Sequence, residues 1–217
     1  MKITLATKIT IARIFLIIPT VITFILAQML DAGKTAYIAL VVLSAALFAI
    51  CCATDFVDGH IARKTNTVSM LGKLLDPLAD KVVIVIMLFL LVYFKDGLDS
   101  AFAYNTLVIA VFSGVILSRE LMIGVFRSIA ASRGLVLAAD IFGKIKTVCL
   151  DIGVTIMMLA GLHVSLAWIG TIVFYVGAIL AVYSGINYVV KNKHVLKQDD
   201  EQSEEKSENA KETPKAE

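Results

Sequence analysis

Charge is scarce in this 217-residue chain: 18% of its residues are Asp, Glu, Lys or Arg, against about 25% in an ordinary soluble domain. Set beside a hydrophobic content of 59%, that shortage excludes a soluble globular fold. Proline occurs three times, too few for a Pro-rich linker to a second soluble domain. Cysteine also occurs three times, as Cys51, Cys52 and Cys149, all inside apolar runs and without metal-ligand spacing. These read as small packing residues with no disulfide. No internal repeat of the inverted-repeat transporter kind stands out.

The formal net charge of +2 averages two unlike regions. Residues 199–217 hold eight acids and three lysines, which leaves seventeen basic and ten acidic residues in the body. A surplus of seven suits a protein that handles anionic lipid headgroups or phosphates, although positive cytoplasmic loops supply part of it. It calls for no nucleic-acid partner. Glu, Lys, Ser, Gln and Asn dominate from Lys197 onward, so 197–217 is expected to be a disordered acidic cytoplasmic tail. The membrane domain is expected to occupy 1–196.

A spanning helix needs about 20 mainly apolar residues. Six runs qualify, approximately 14–30, 36–57, 74–94, 102–125, 145–162 and 164–190. The expected fold is all-α, a six-helix integral membrane protein. Lys2, Lys8 and Arg13 precede the first run as in a signal peptide, but the run is long and lacks a small-x-small cleavage site, so it is treated as a retained helix. With the N-terminus cytoplasmic, fifteen Lys and Arg fall inside and only Lys34 and Lys95 outside, the tail lysines apart. Both termini are therefore expected in the cytoplasm of a multi-pass cell-membrane protein.

Four carboxylates at membrane helix ends carry the chemistry. The second run ends in Asp55-Phe56-Val57-Asp58-Gly59-His60-Ile61-Ala62-Arg63, and the third begins with Gly72, Asp76 and Asp80 at steps of four. On helices, Asp55, Asp58, Gly59 and Ala62 share one stripe and Gly72, Asp76 and Asp80 another. A turn of roughly ten residues would let both stripes face one cytoplasmic cleft. Ionised together, four carboxylates repel unless cations lie between them, and hard oxygen donors without His or Cys favour Mg²⁺, with Mn²⁺ or Ca²⁺ as lesser options. Two carboxylates per helix suit two ions about 4 Å apart, as in phosphoryl displacement. By residue type alone the same acids also suit helix caps paired with Arg63, Lys73 and Lys81, or an acid-lined pathway in a divalent-cation transporter.

The spacing Asp55-x-x-Asp58-Gly59-x-x-Ala62-Arg63, then eight residues, then Gly72-x-x-x-Asp76-x-x-x-Asp80 resembles the signature of the CDP-alcohol phosphotransferase family at every defining position. Its members are six-helix membrane enzymes, usually dimeric, that move a substituted phosphate from a CDP-linked donor to an alcohol and release CMP. The resemblance implies that Asp55, Asp58, Asp76 and Asp80 hold two Mg²⁺ or Mn²⁺ ions and that Asp80 is the catalytic base. It implies that Thr10, Gly59, Ala62, Arg63 and Gly72 lie around the nucleotide. Further stretches, Thr10-Ile11-Ala12-Arg13, Ser118-Arg119-Glu120 with Arg127, Gly143-Lys144-Ile145-Lys146-Thr147 and Ser184-Gly185-Ile186-Asn187-Tyr188, are most similar to bacterial members that use CDP-diacylglycerol and glycerol 3-phosphate. Inositol phosphate, serine and phosphatidylglycerol are the alternative acceptors. Thr7 departs from the family's usual Asn, and no family role attaches to Asp151.

An acceptor phosphate needs more than one fixed cation. Arg119, Arg127, Lys144 and Lys146 fall near the cytoplasmic ends of two adjacent helices and form the expected phosphate-binding set, with snorkelling anchors as the plainer alternative. Lys144 and Lys146, two apart, cannot share a face, so at most one points into the cleft. Glu120 is a candidate partner of Arg119. His60, His163 and His194 are assigned no role.

Overall fold

The computed structural model describes residues 5–31, 34–65, 70–94, 106–132 and 141–192. Within the helices, the side chains of residues 5–10, 55–65, 70–80, 106, 129 and 131–132 lie outside that description. The described residues form six long α-helices, α1 (Leu5–Gln28), α2 (Thr35–Thr65), α3 (Met70–Tyr93), α4 (Thr106–Ser132), α5 (Ile141–Met158) and α6 (Val164–Lys191), and contain no strand. Helices are what an apolar chain in lipid must form, because each backbone N–H and C=O then finds its partner within one segment. Five are long and apolar enough to cross a membrane: Ile11–Gln28, Thr35–Thr54, Leu107–Ser128, Ile141–Leu162 and Val164–Lys191. In α3 the described apolar stretch is the shorter Lys81–Tyr93.

Several helices extend past one end of their apolar run. α1 begins at Leu5, α5 at Ile141, and α2 continues to Thr65, so the segment between α2 and α3 is 66–69 and not a turn of roughly ten residues. Apolar content marks only the lipid-embedded part of a helix, whereas polar residues facing water extend it by further turns. The carboxyl end of α5 is less regular. A 3₁₀ turn, Ala160–Leu162, breaks the fifth run, and the extended His163 caps α6 by accepting a hydrogen bond at Nδ1 from the Ser165 amide, 3.1 Å away. Pro19 sits inside α1, where the Thr20 and Thr23 hydroxyls donate to the carbonyls of Leu16 and Pro19 at 2.8 and 2.7 Å. The acidic tail and His194 lie outside the described residues.

Small residues set the tightest packing. A Cβ on Gly153 would fall 2.8 Å from the Phe174 amide nitrogen, one on Gly170 2.8 Å from that of Met157, and one on Gly177 3.0 Å from the Leu150 side chain. The three pairings run in opposite directions along α5 and α6, so these helices are antiparallel with their backbones nearly touching. Close backbone approach through glycine is how membrane helices gain dispersion energy when lipid supplies no hydrophobic drive. Phe24, Phe48, Met87, Val154, Met157 and Phe174 fill the adjoining core, and Cys51 is buried among them. Phe15, Ile18, Ile22 and Leu26 line an exposed face of α1 at helical spacing, as a lipid-facing stripe does.

Because Gly170 has no room for a methyl group, Gly170→Ala should lower thermal stability in detergent by about 1–3 kcal/mol. Gly114 meets nothing within 4 Å, and Gly114→Ala should be neutral or slightly stabilising in the same melt. Equal melting temperatures for the two variants would contradict this packing.

Candidate functional site

The aspartate motif lies on regular helix in both halves. α2 runs unbroken through Asp55, Asp58, Gly59, Ala62 and Arg63, and α3 through Gly72, Asp76 and Asp80. Helical backbone puts Asp55 with Asp58, and Asp76 with Asp80, one turn apart on shared faces. The side chains of these residues, of His60 and of Thr10 on α1 lie outside the described set. Among the described residues, no group of three or more His, Cys, Asp or Glu is placed to hold a metal. The donor set in the motif is four carboxylates, which fits a hard divalent cation.

Directly after Asp80 stands Lys81, whose Nζ lies 3.6 Å from Oε2 of Glu120 on α4 and 3.5 Å from that residue's carbonyl oxygen. The other carboxylate oxygen, Oε1, accepts from Arg119 Nη1 at 2.7 Å and from Lys146 Nζ on α5. Arg119 then reaches α6, donating from Nη2 to Ser184 Oγ at 2.8 Å and from Nε to the Ala181 carbonyl at 3.2 Å. One carboxylate thus joins three cations and ties four helices at a common level. Gly185 is part of the same fit, since a Cβ there would lie 2.9 Å from Arg119 Cγ. In the low dielectric of a helix bundle the charges are tolerated only together, because each lone charge would carry a desolvation cost of several kcal/mol.

The four expected phosphate ligands are therefore not one cluster. Arg119 and Lys146 meet at Glu120, and Lys146 is 6% exposed. Lys144 lies on the exposed face of α5, so the two-residue spacing separates the lysines and Lys146 is the one turned inward. Arg127 stands about 12 Å farther along α4, the rise of eight residues. Its Nε donates to Tyr188 Oη at 3.1 Å and its guanidinium packs over that ring, 5.2 Å from the centroid. Since Arg119 pairs with Ala181 and Ser184, and Arg127 with Tyr188, α4 and α6 run parallel. The Ser184-Gly185-x-x-Tyr188 pattern has a physical role: Ser184 and Tyr188 accept from the two arginines and Gly185 makes room for one.

In the sequence Lys81 reads as a cytoplasmic positive charge or a partner of the aspartates, whereas the structure pairs it with Glu120, and its adjacency to Asp80 is the signal that it belongs to the site. A cavity of about 260 Å³ opens between α2 and α5, beginning two residues before Asp55, and is lined by residues that include Ala49, Cys52 and Ala53 on α2 and Thr147, Asp151 and Thr155 on α5. Asp151 faces this space. At the same end of α1, Arg13 is buried at 2% exposure, three residues after Thr10.

Residues 3–183 match the family model described as CDP-alcohol phosphatidyltransferase. The chain is 37% identical over 199 residues to a Bacillus subtilis protein named CDP-diacylglycerol–glycerol-3-phosphate 3-phosphatidyltransferase, covering 89% of this chain and 97% of that one. A Rickettsia felis protein of the same name is 30% identical over 182 residues, 82% of this chain and 90% of the relative. Another of that name, from Mycoplasma genitalium, is 28% identical over 212 residues, 89% and 85% of the two chains. With the aspartate signature on two adjacent helices and a match across most of its length, the chain belongs to the CDP-alcohol phosphatidyltransferase family.

Proposed function

We propose that this chain transfers the phosphatidyl group of CDP-diacylglycerol to glycerol 3-phosphate, giving phosphatidylglycerophosphate and CMP. The observation that carries the reading is the cationic wall of Lys81, Arg119 and Lys146, built one residue beyond Asp80 of the family signature. A wall of three cations around one carboxylate suits a phosphorylated acceptor over serine. The names of the similar proteins from B. subtilis and R. felis select glycerol 3-phosphate over inositol phosphate.

In this reading the primary hydroxyl of the acceptor attacks the β-phosphorus of the donor. The new O–P bond forms as the bond to the CMP oxygen breaks, and the Asp80 carboxylate takes the hydroxyl proton. Lys146 and Lys81 hold the acceptor phosphate, with the charge of Arg119 behind them, so that its hydroxyl points at the donor, the positioning on which phosphoryl transfer chiefly depends. Gly59, Ala62 and Gly72 leave room for the nucleotide at the backbone, beside Thr10 and Arg63. Asp55, Asp58, Asp76 and Asp80 would hold two divalent ions, Mg²⁺ or Mn²⁺, which supply charge neutralisation at the phosphoryl oxygens. The cavity between α2 and α5 gives the lipid part of the donor lateral space next to the motif.

The same reading takes all six helices as spanning, with both termini in the cytoplasm of the cell membrane. Its support is the excess of fifteen Lys and Arg over two, together with the parallel course of α4 and α6 and the antiparallel course of α5. The ends of α2, α4 and α6 and the starts of α3 and α5 then share one side.

Detergent-purified protein should release CMP from CDP-diacylglycerol only with both glycerol 3-phosphate and Mg²⁺, and a chelator should abolish release. Release with serine or inositol phosphate instead would keep the class and change the acceptor; divalent-ion flux without CMP release would favour a transporter. Asp80→Asn should lower kcat about 10²–10⁴-fold, and near-wild-type turnover in Asp76→Ala would contradict the metal assignment. For the acceptor, Lys146→Ala should raise KM far more than Lys144→Ala, as steady-state kinetics with saturating donor would show.

A further inference from the structure

The three cations at the site are unequal. Arg119 commits Nε, Nη1 and Nη2 to Ala181, Glu120 and Ser184 and is 12% exposed, so it is fixed as a strut between α4 and α6. Lys81, 30% exposed, is the most open of the three, and Lys146 approaches from α5 on the opposite carboxylate oxygen. The lysine ammonium is a mobile point charge on a flexible stem, and nothing in its own chemistry fixes where it sits. Among the described residues, one carboxylate pairs with both lysines. Glu120 divides its two oxygens, Oε2 to Lys81 and Oε1 to Lys146 and Arg119. Without that carboxylate three like charges would face one another in a low dielectric and move apart. With it, the three cations and one anion among the described residues leave a net charge of +2, the magnitude of a phosphate monoester dianion.

We propose that Glu120 is a positioning residue for the acceptor: it holds Lys81 and Lys146 as a matched pair whose joint charge and spacing receive the acceptor's dianionic phosphate, and it acts through those lysines without touching the reacting atoms. The proposal rests on the phosphatidyl-transfer reading above and adds to it the residue that organises acceptor recognition. It also gives Lys81 a part beyond membrane anchoring. Because Lys81 follows Asp80, pairing it with α4 fixes the level of α3 from which Asp80 is presented.

The test is a double-substitution cycle on full-length protein in detergent, with CMP release as the readout and thermal unfolding to establish folding. Glu120→Gln keeps the shape and removes the charge; Glu120→Asp keeps the charge on a shorter arm. Glu120→Gln is expected to lower kcat/KM for glycerol 3-phosphate tenfold or more and to leave KM for CDP-diacylglycerol within threefold, and Glu120→Asp to lower kcat/KM less. In a Lys146→Met background Glu120→Gln should cost at most about threefold, because one of the two lysines through which it acts is already gone and the matched pair no longer exists. Overturning results would be wild-type acceptor kinetics in folded Glu120→Gln, equal loss toward both substrates, or the same tenfold loss with and without Lys146. Wild-type protein that releases no CMP with glycerol 3-phosphate would instead sink the functional reading, and this proposal with it; normal wild-type activity with an indifferent Glu120 variant would sink this proposal alone.

Discussion

A carboxylate among membrane helices is costly unless cations surround it, and Glu120 is surrounded by three. Through it α3, α4 and α5 meet at one level, and Arg119 carries the link to α6 by way of Ser184. The energetic logic is collective. Removing any one member leaves the others underpaired where burial limits compensation by water, so the network defines a single arrangement of the bundle more strongly than any of its hydrogen bonds alone. The placement of the start of α3, which bears Asp76 and Asp80, follows from this. Lys81 is bonded to Asp80 through the main chain, and its pairing with Glu120 therefore sets where α3 begins to present the motif.

Glycine contacts supply the complementary constraint. Gly153, Gly170 and Gly177 bring α5 and α6 to backbone contact over about two turns, which fixes the relative height of the two helices. That height brings Lys146 on α5 and Ser184 on α6 to the same end of the bundle. Packing in the apolar half and ion pairing in the polar half thus agree, and the cavity between α2 and α5 lies beside both. A membrane enzyme that joins a lipid donor to a water-soluble acceptor needs this combination: a rigid apolar frame, a cluster of charge at one end, and a cavity between helices.

Much of this was legible because membrane insertion imposes a simple rule on sequence. Apolar runs located the six long helices of the described residues, and the spacing of the four aspartates announced the family. Helix ends were misjudged where polar residues continue the helix, as from Val57 to Thr65 in α2, since hydropathy stops at the lipid boundary and hydrogen bonding does not. The basic residues were legible as a set but not as partners. Arg119 and Arg127 share a helix, yet one is a strut to Ser184 and the other stacks on Tyr188.

Sequence by itself determined the helical class, the membrane setting and the residues of the aspartate motif, because each is a matter of composition or of spacing along one helix. Only tertiary structure decided that Lys146 and not Lys144 turns inward, that Lys81 joins Arg119 and Lys146 at Glu120, and that Ser184 and Tyr188 receive the arginines of α4. The physical reason is that helical periodicity states which residues share a face, whereas the partner of that face depends on how neighbouring helices rotate and slide. Those two quantities are set by close packing at glycine and by the pairing of buried charge, neither of which has a signature within a single helix.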